Sequence, residues 1–188
     1  MSLEAAWTPW DAPGLDHLRL RVGENGVEAD GVVVGEEDGN YFRAHYVVRC
    51  DPSWKTRELF VDPLDGRDPL HLRSDGEGGW RDASGATIPE LRGCVDVDLS
   101  VTPFTNTLPI RRLGLAEGES SDITVVYVDV PPMRVEASTQ RYTCLERGSG
   151  GGLYRYEDLG TFRGFTADLP VDADGLVLDY PGIFRRIP

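Results

Sequence analysis

Apolar and polar side chains alternate from His17 to Val22. Leu18, Leu20 and Val22 fall on one side, His17, Arg19 and Arg21 on the other. This is the period of two that a half-buried strand requires. Tyr41–Cys50 repeats it, with Phe42, Ala44, Tyr46, Val48 and Cys50 opposite Tyr41, Arg43, His45, Val47 and Arg49. Ile123–Val130 is β-branched nearly throughout, as in a strand covered on both faces. Arg134–Cys144 alternates again, setting Val135, Ala137 and Thr139 against Glu136, Ser138 and Gln140. Phe162–Leu169 and Gly175–Asp179 add two more strands. Gly93–Leu113 opens as a strand, with Val95, Val97, Leu99 and Val101 opposite Asp96, Asp98 and Ser100. It then breaks into a loop bracketed by Pro103 and Pro109 and closes on Arg111 and Arg112. About ten strands result.

Turn chemistry separates these runs. Asn25-Gly26, Asp38-Gly39, Asp65-Gly66, Asp75-Gly76 and Asp174-Gly175 adopt positive φ cheaply and predict tight connections. Asp30-Gly31 has the same letters inside a strand-like run and reads as a bulge. Gly148–Gly152 reads as a flexible hairpin loop rather than a linker, because strand pattern continues on both sides. One helical turn is expected at Pro109–Leu113, with Pro109 at its first position and Gly114 at its exit. Ten antiparallel strands do not lie flat. The prediction is therefore an all-β protein: one strongly curved antiparallel sheet forming a barrel-like or half-barrel domain over residues 1–188, with a sandwich as the competing arrangement. Short echoes between Tyr46–Cys50 and Arg141–Cys144, and between the Asp75-Gly76 and Asp174-Gly175 regions, are compatible with duplicated halves.

Charge narrows the partners. A net charge of −13 repels a phosphate backbone and an anionic membrane surface, so no nucleic-acid partner is expected. No apolar run is long enough to span a membrane, and the first residues lack the basic and apolar regions of a signal peptide. The three cysteines, Cys50, Cys94 and Cys144, are far apart and form no CxxC pair. The expectation is a cytoplasmic protein with reduced thiols, no metal and no cofactor, of undetermined oligomeric state.

Candidate chemistry centres on Asp96 and Asp98, which share one face of one strand. They read either as a carboxylate pair that binds a polar head group or does acid–base work, or as partners of Arg111, Arg112 or Arg141 that pin the Pro-bracketed loop. Thr102–Asn106 is a polar turn whose groups hold a sugar or satisfy their own backbone. Trp7, Trp10, Trp54 and Trp80 sit near turns, where an indole stacks on a ligand or lids a core. Trp54 and Trp80 are the better binding candidates. No GxSxG occurs, and the Gly148–Gly152 tract lacks the Lys-Ser/Thr and the helix of a phosphate loop. Asp172, Asp174 and Gly175 read as a hairpin turn rather than a calcium loop, and His17, His45 and His71 follow no metal spacing.

The segment GCVDVDLSVTPFTNTLPIRRL resembles the signature of the "putative glycolipid-binding" family, a bacterial family catalogued as a domain of unknown function. Cys50-Asp51 with Trp54 and Arg57, Asp75-Gly76 with Trp80, Gln140–Thr143, Tyr154-Arg155-Tyr156 and Asp174–Val177 with Asp179-Tyr180-Pro181 extend the resemblance over roughly Val27 to Arg185. It implies a curved antiparallel sheet, barrel-like or half-barrel, comparable to carriers that hold acyl chains in an open apolar barrel.

Together these readings predict a non-enzymatic protein that binds an apolar or amphipathic small molecule, such as a glycolipid, on the concave face of its sheet. Asp96, Asp98, Asn106, Arg111, Arg112 and Arg141 are expected at the polar head, and Trp54, Trp80 and Tyr142 along the cavity. The alternatives are an enzyme with Asp96 or Asp98 as general base in the same cavity, or a structural, protein-interaction domain.

Overall fold

The computed structural model describes residues 1–188 and is built almost wholly of strands. In chain order these are β1 (Ser2–Pro9), β2 (Gly14–Gly23), β3 (Gly26–Glu37), β4 (Asn40–Cys50), β5 (Thr56–Asp62), β6 (Leu70–Ser74) and β7 (Trp80–Arg81). There follow β8 (Asp96–Leu99), helix α1 (Thr107–Leu113), β9 (Ser120–Asp129), β10 (Arg134–Gly148), β11 (Gly151–Asp158), β12 (Thr166–Asp172), β13 (Asp179–Tyr180) and β14 (Phe184–Ile187). The nine-stranded sheet runs β13-β14-β1-β2-β3-β4-β5-β6-β7 and is antiparallel throughout. A second sheet of five runs β12-β11-β10-β9-β8, with β8 and β9 parallel. The all-β prediction holds, and the strands divide between these two sheets.

No barrel closes, but backbone hydrogen bonds tie the sheets at two seams. At one, Thr56 N–H donates to the carbonyl of Val95, whose own N–H reaches Thr124 O on β9. At the other, Leu178 N–H donates to Pro170 O on β12, and the Leu178 carbonyl accepts Arg186 N–H on β14. The buried apolar residues form one cluster of 41.

The alternation predicted for β2 and β4 decides their inward faces. Leu18, Leu20, Ala44, Tyr46, Val48 and Cys50 are buried while Arg19, Arg21 and Arg49 are exposed. Asp38-Gly39 forms the β3–β4 hairpin turn as expected, whereas the β2–β3 loop is Glu24-Asn25, one residue earlier, with Gly26 already paired to Gly23. Gly31 is not a bulge. It sits in continuous register opposite Tyr46, and a Cβ there would lie 2.1 Å from the Tyr46 ring. Glycine at this position makes room for an aromatic side chain, not a kink.

The Pro-bracketed loop fills the interior. Thr102 Oγ1 accepts the Phe104 N–H at 3.1 Å and starts a 3-10 turn at Pro103–Asn106, which runs on into α1. The helix begins two residues before the expected Pro109. Pro109 fits inside its first turn, where backbone N–H groups have no intrahelical acceptor. Gly114, at φ 58°, ends it as predicted. Residues 101–110 are all buried, so the centre of the wrap is packed by this segment rather than hollow.

Candidate functional site

A cleft lies between the two sheets, lined by residues of both. It has two lobes, of about 280 and 330 Å³. Ser100, Tyr127, Phe162, Ile183 and Phe184 line both, so the lobes join into one cleft.

The smaller lobe has a polar floor and aromatic walls. Asp98 projects from β8 and accepts Thr105 Oγ1–H at 2.9 Å and Gln140 Nε2–H at 2.6 Å. Both donors are neutral. Burial raises the Asp98 carboxyl, the Gln140 and Thr105 hydrogen bonds pull it partly back, and the charge of Asp158 pushes it up further. Asp158 ends β11 and is itself buried. It accepts Tyr156 O–H at 3.1 Å and the backbone N–H groups of Gly160 and Phe162 at 2.8 and 3.0 Å. Asn106 completes the floor. Its Oδ1 accepts Tyr142 O–H at 2.8 Å, and its amide donates to Pro103 O. Around them Tyr127 meets Phe162 edge-on at 5.7 Å, and Tyr156, Phe165 and Tyr180 lie 6.1–6.2 Å apart in mutual contact. The Tyr127–Phe162 and Tyr156–Tyr180 pairs are edge-to-face and the two Phe165 pairs are tilted, which fixes the rings against one another. Phe162 is 55% exposed at the lip.

The larger lobe is mainly apolar, walled by Leu15, Val33, Val34, Phe42, Val101 and Val130, with Glu36, Glu37 and Asp129 also on its lining. One buried acid interrupts it. Asp16 accepts Tyr46 O–H at 3.1 Å, and Tyr46 Oη also lies 3.1 Å from Thr102 Oγ1. No cation pairs with Asp16. Burial pushes its carboxyl up to about 7 against the hydrogen bonds of Thr102 and Tyr46. No group of three or more His, Cys, Asp or Glu side chains is arranged to hold a metal ion.

Of the residues singled out from sequence, Asp98 and Asn106 line the cleft, and Tyr142 stands behind Asn106. Asp96 is fully buried and forms a bidentate pair with Arg112, at 2.9 Å to Nε and 2.6 Å to Nη2. Its carboxyl is raised by burial, with Arg112 opposing. This is the loop-pinning arrangement, for one of the two acids. Arg141 pairs with Asp122 on the outer face of the second sheet. Trp80 is buried and donates its indole N–H to Cys94 O at 2.8 Å. Trp54 and Arg111 stack on each other, 5.2 Å from guanidinium carbon to ring centroid, and line a different pocket.

Asp16, Tyr127, Asp158, Tyr156, Phe162, Phe165 and Tyr180 join the cleft without having been singled out. One signal for the site was present. On β10 the polar members Ser138 and Gln140 face inward while Ala137 is exposed, the reverse of an ordinary core strand. Gln140 points in because Asp98 needs a donor, and Ser138 because Thr161 N–H bonds its hydroxyl. The run expected as a strand from Phe162 begins only at Thr166. The preceding residues form the loop that carries Phe162 and Phe165 to the mouth.

The sequence profile of the family described as "putative glycolipid-binding" matches residues 4–186. The chain belongs to that family. A crystal structure of a DUF1089 family protein from Pseudomonas aeruginosa is similar to this member over 92% of each chain, with 38% identity and a TM-score of 0.77. No protein of curated function matches it.

Proposed function

We propose that this member of the glycolipid-binding family binds an amphipathic small molecule with a sugar-like head in the two-lobed cleft and releases it unchanged. One observation carries the reading: a mainly apolar lobe adjoins a lobe of aromatic rings and carboxylates that have no cationic partner. Ring faces stack on the apolar side of a pyranose, and an ionised carboxylate offers about four acceptor positions, of which Asp98 uses two. Asp98, Asp158 and Asn106 accept or donate to hydroxyls, while the alkyl part lies against Leu15, Val33, Val34 and Phe42. Eight buried methylenes supply roughly 6 kcal/mol, within the range of association costs. Because residues 101–110 pack the interior, the ligand sits in the cleft between the sheets rather than in a hollow centre.

Calorimetry with octyl glucoside below its micelle concentration tests the reading. Saturable binding that glucose and octanol alone do not reproduce is expected. Equal failure of all three removes the proposal. A second reading rests on the carboxyl of Asp16, pushed up to about 7 by burial, which suits proton transfer near neutral pH. It requires that a bound glycoside be converted, which product analysis of the same mixture reveals.

A further inference from the structure

A second pocket, of about 320 Å³, shares no lining residue with the cleft. The interior segment connects the two. Thr102 and Asn106 at its start line the cleft, and Ile110, Arg111 and Gly114 at its end line the second pocket. We infer that this pocket, built on Arg111, Arg147 and Trp54, is a binding site for a phosphoryl oxyanion, carried by a soluble monoester or by a lipid head group.

Two arginines from different elements, α1 and β10, line this one pocket in a chain of net charge −13. Arg111 forms no hydrogen bond or ion pair with the protein and is held instead over the Trp54 ring. Its five N–H donors are open. Arg147 spends Nη1 on the carbonyls of Gly114 and Leu115, both at 2.9 Å, which anchors its side chain. The pocket's one acid, Asp172, is already engaged. Its Oδ1 accepts the N–H groups of Asp174 and Leu176, and its Oδ2 lies 3.5 Å from Arg186.

The backbone is shaped to hold Arg111 in place. Trp54 is nearly buried at φ +65°, a conformation an aromatic residue adopts only where its surroundings enforce it. Gly175 lets the arginine stem pass, since a Cβ there would lie 2.9 Å from Arg111 Cδ. A carboxylate satisfies one guanidinium fork. Two forks on one pocket match a group with three equivalent oxygens and close to two charges.

Calorimetry with inorganic phosphate and phenyl phosphate, and flotation with phosphatidylcholine vesicles with and without phosphatidic acid, test the site. Wild-type protein is expected to bind phenyl phosphate saturably and more weakly as salt rises. Arg111→Gln and Arg147→Gln are each expected to weaken it by tenfold or more, on the order set by charge-assisted hydrogen bonds. Both variants retain octyl glucoside binding in the cleft if that binding exists, so failure of one site is distinguishable from failure of the other. Capture by phosphatidic acid vesicles assigns a lipid head as the source, and binding of phenyl phosphate alone assigns a soluble monoester. No binding of any phosphate probe by wild type, or binding unchanged in both variants, overturns the inference.

Discussion

Gln140 donates its side-chain amide to Asp98 across the second sheet at 2.6 Å, and no cation shares that carboxylate. The pair sets an acid at the cleft floor with acceptor capacity to spare. Truncation and isosteric replacement should therefore behave differently. Asp98→Ala orphans the Gln140 and Thr105 donors and is expected to cost about 1–3 kcal/mol of stability. Asp98→Asn keeps the shape and is expected to fold within about 1 kcal/mol of wild type, yet bind octyl glucoside about tenfold more weakly. Urea unfolding and calorimetry on both variants check this. An Asp98→Asn protein with unchanged affinity would remove Asp98 from the site.

Asp16 predicts a pH dependence of known sign. Its folded carboxyl titrates at about 7, against 3.8 for an unperturbed aspartate. Between those values the folded chain holds a proton that the unfolded chain releases, so unfolding free energy falls as pH rises through the window and levels off above it. The loss is on the order of 4 kcal/mol. Asp16→Asn should remove that slope and be more stable than wild type at pH 8, by about the same order. Parallel denaturation curves of the two proteins from pH 5 to about pH 8 isolate this group from the others; a constant difference would contradict the assignment.

The Asp96–Arg112 pair should be structural. Arg112→Ala strands a fully buried carboxylate and is expected to cost about 3–5 kcal/mol. Adding Asp96→Ala should recover part of that loss, because the uncompensated charge goes with it. A double-mutant cycle in urea measures the coupling.

Gly31→Ala should destabilise by about 1–3 kcal/mol, since the new methyl enters the Tyr46 ring. In a Tyr46→Leu background the penalty should shrink. Equal penalties in the two backgrounds would place the strain elsewhere.

Phe162→Ala separates binding from folding. The ring is exposed at the lip, so stability should change by no more than about 0.5 kcal/mol. Octyl glucoside binding should weaken roughly three- to tenfold through lost ring contact. Calorimetry and thermal melts read the two effects independently.

Much of the architecture was legible because strand period and turn chemistry are local. Leu18 and Leu20, the Asp38-Gly39 turn and the Gly114 helix exit each follow from a few neighbouring residues. The site was legible only in part. Asp96 and Asp98 sit on one face of one strand, but α1 delivers Arg112 to Asp96 while β10 delivers a neutral amide to Asp98. Which acid is neutralised depends on what crosses from elsewhere in the fold, which spacing does not record. Asp158, Tyr156 and Phe162 were not assigned to the site for the same reason: β11 and its following loop reach the cleft through the pairing of the second sheet. Trp80 shows the converse. Its place beside a turn suited a rim, but its indole N–H is spent inside on Cys94 O.

Native mass spectrometry of the protein purified from its own host reads the occupant of the cleft. A fraction should carry one added mass that yields both sugar and alkyl fragments, and that disappears when Ser100→Trp obstructs the junction of the lobes. A bare chain that also fails to take up octyl glucoside, or an added mass that persists in Ser100→Trp, would contradict binding in the cleft.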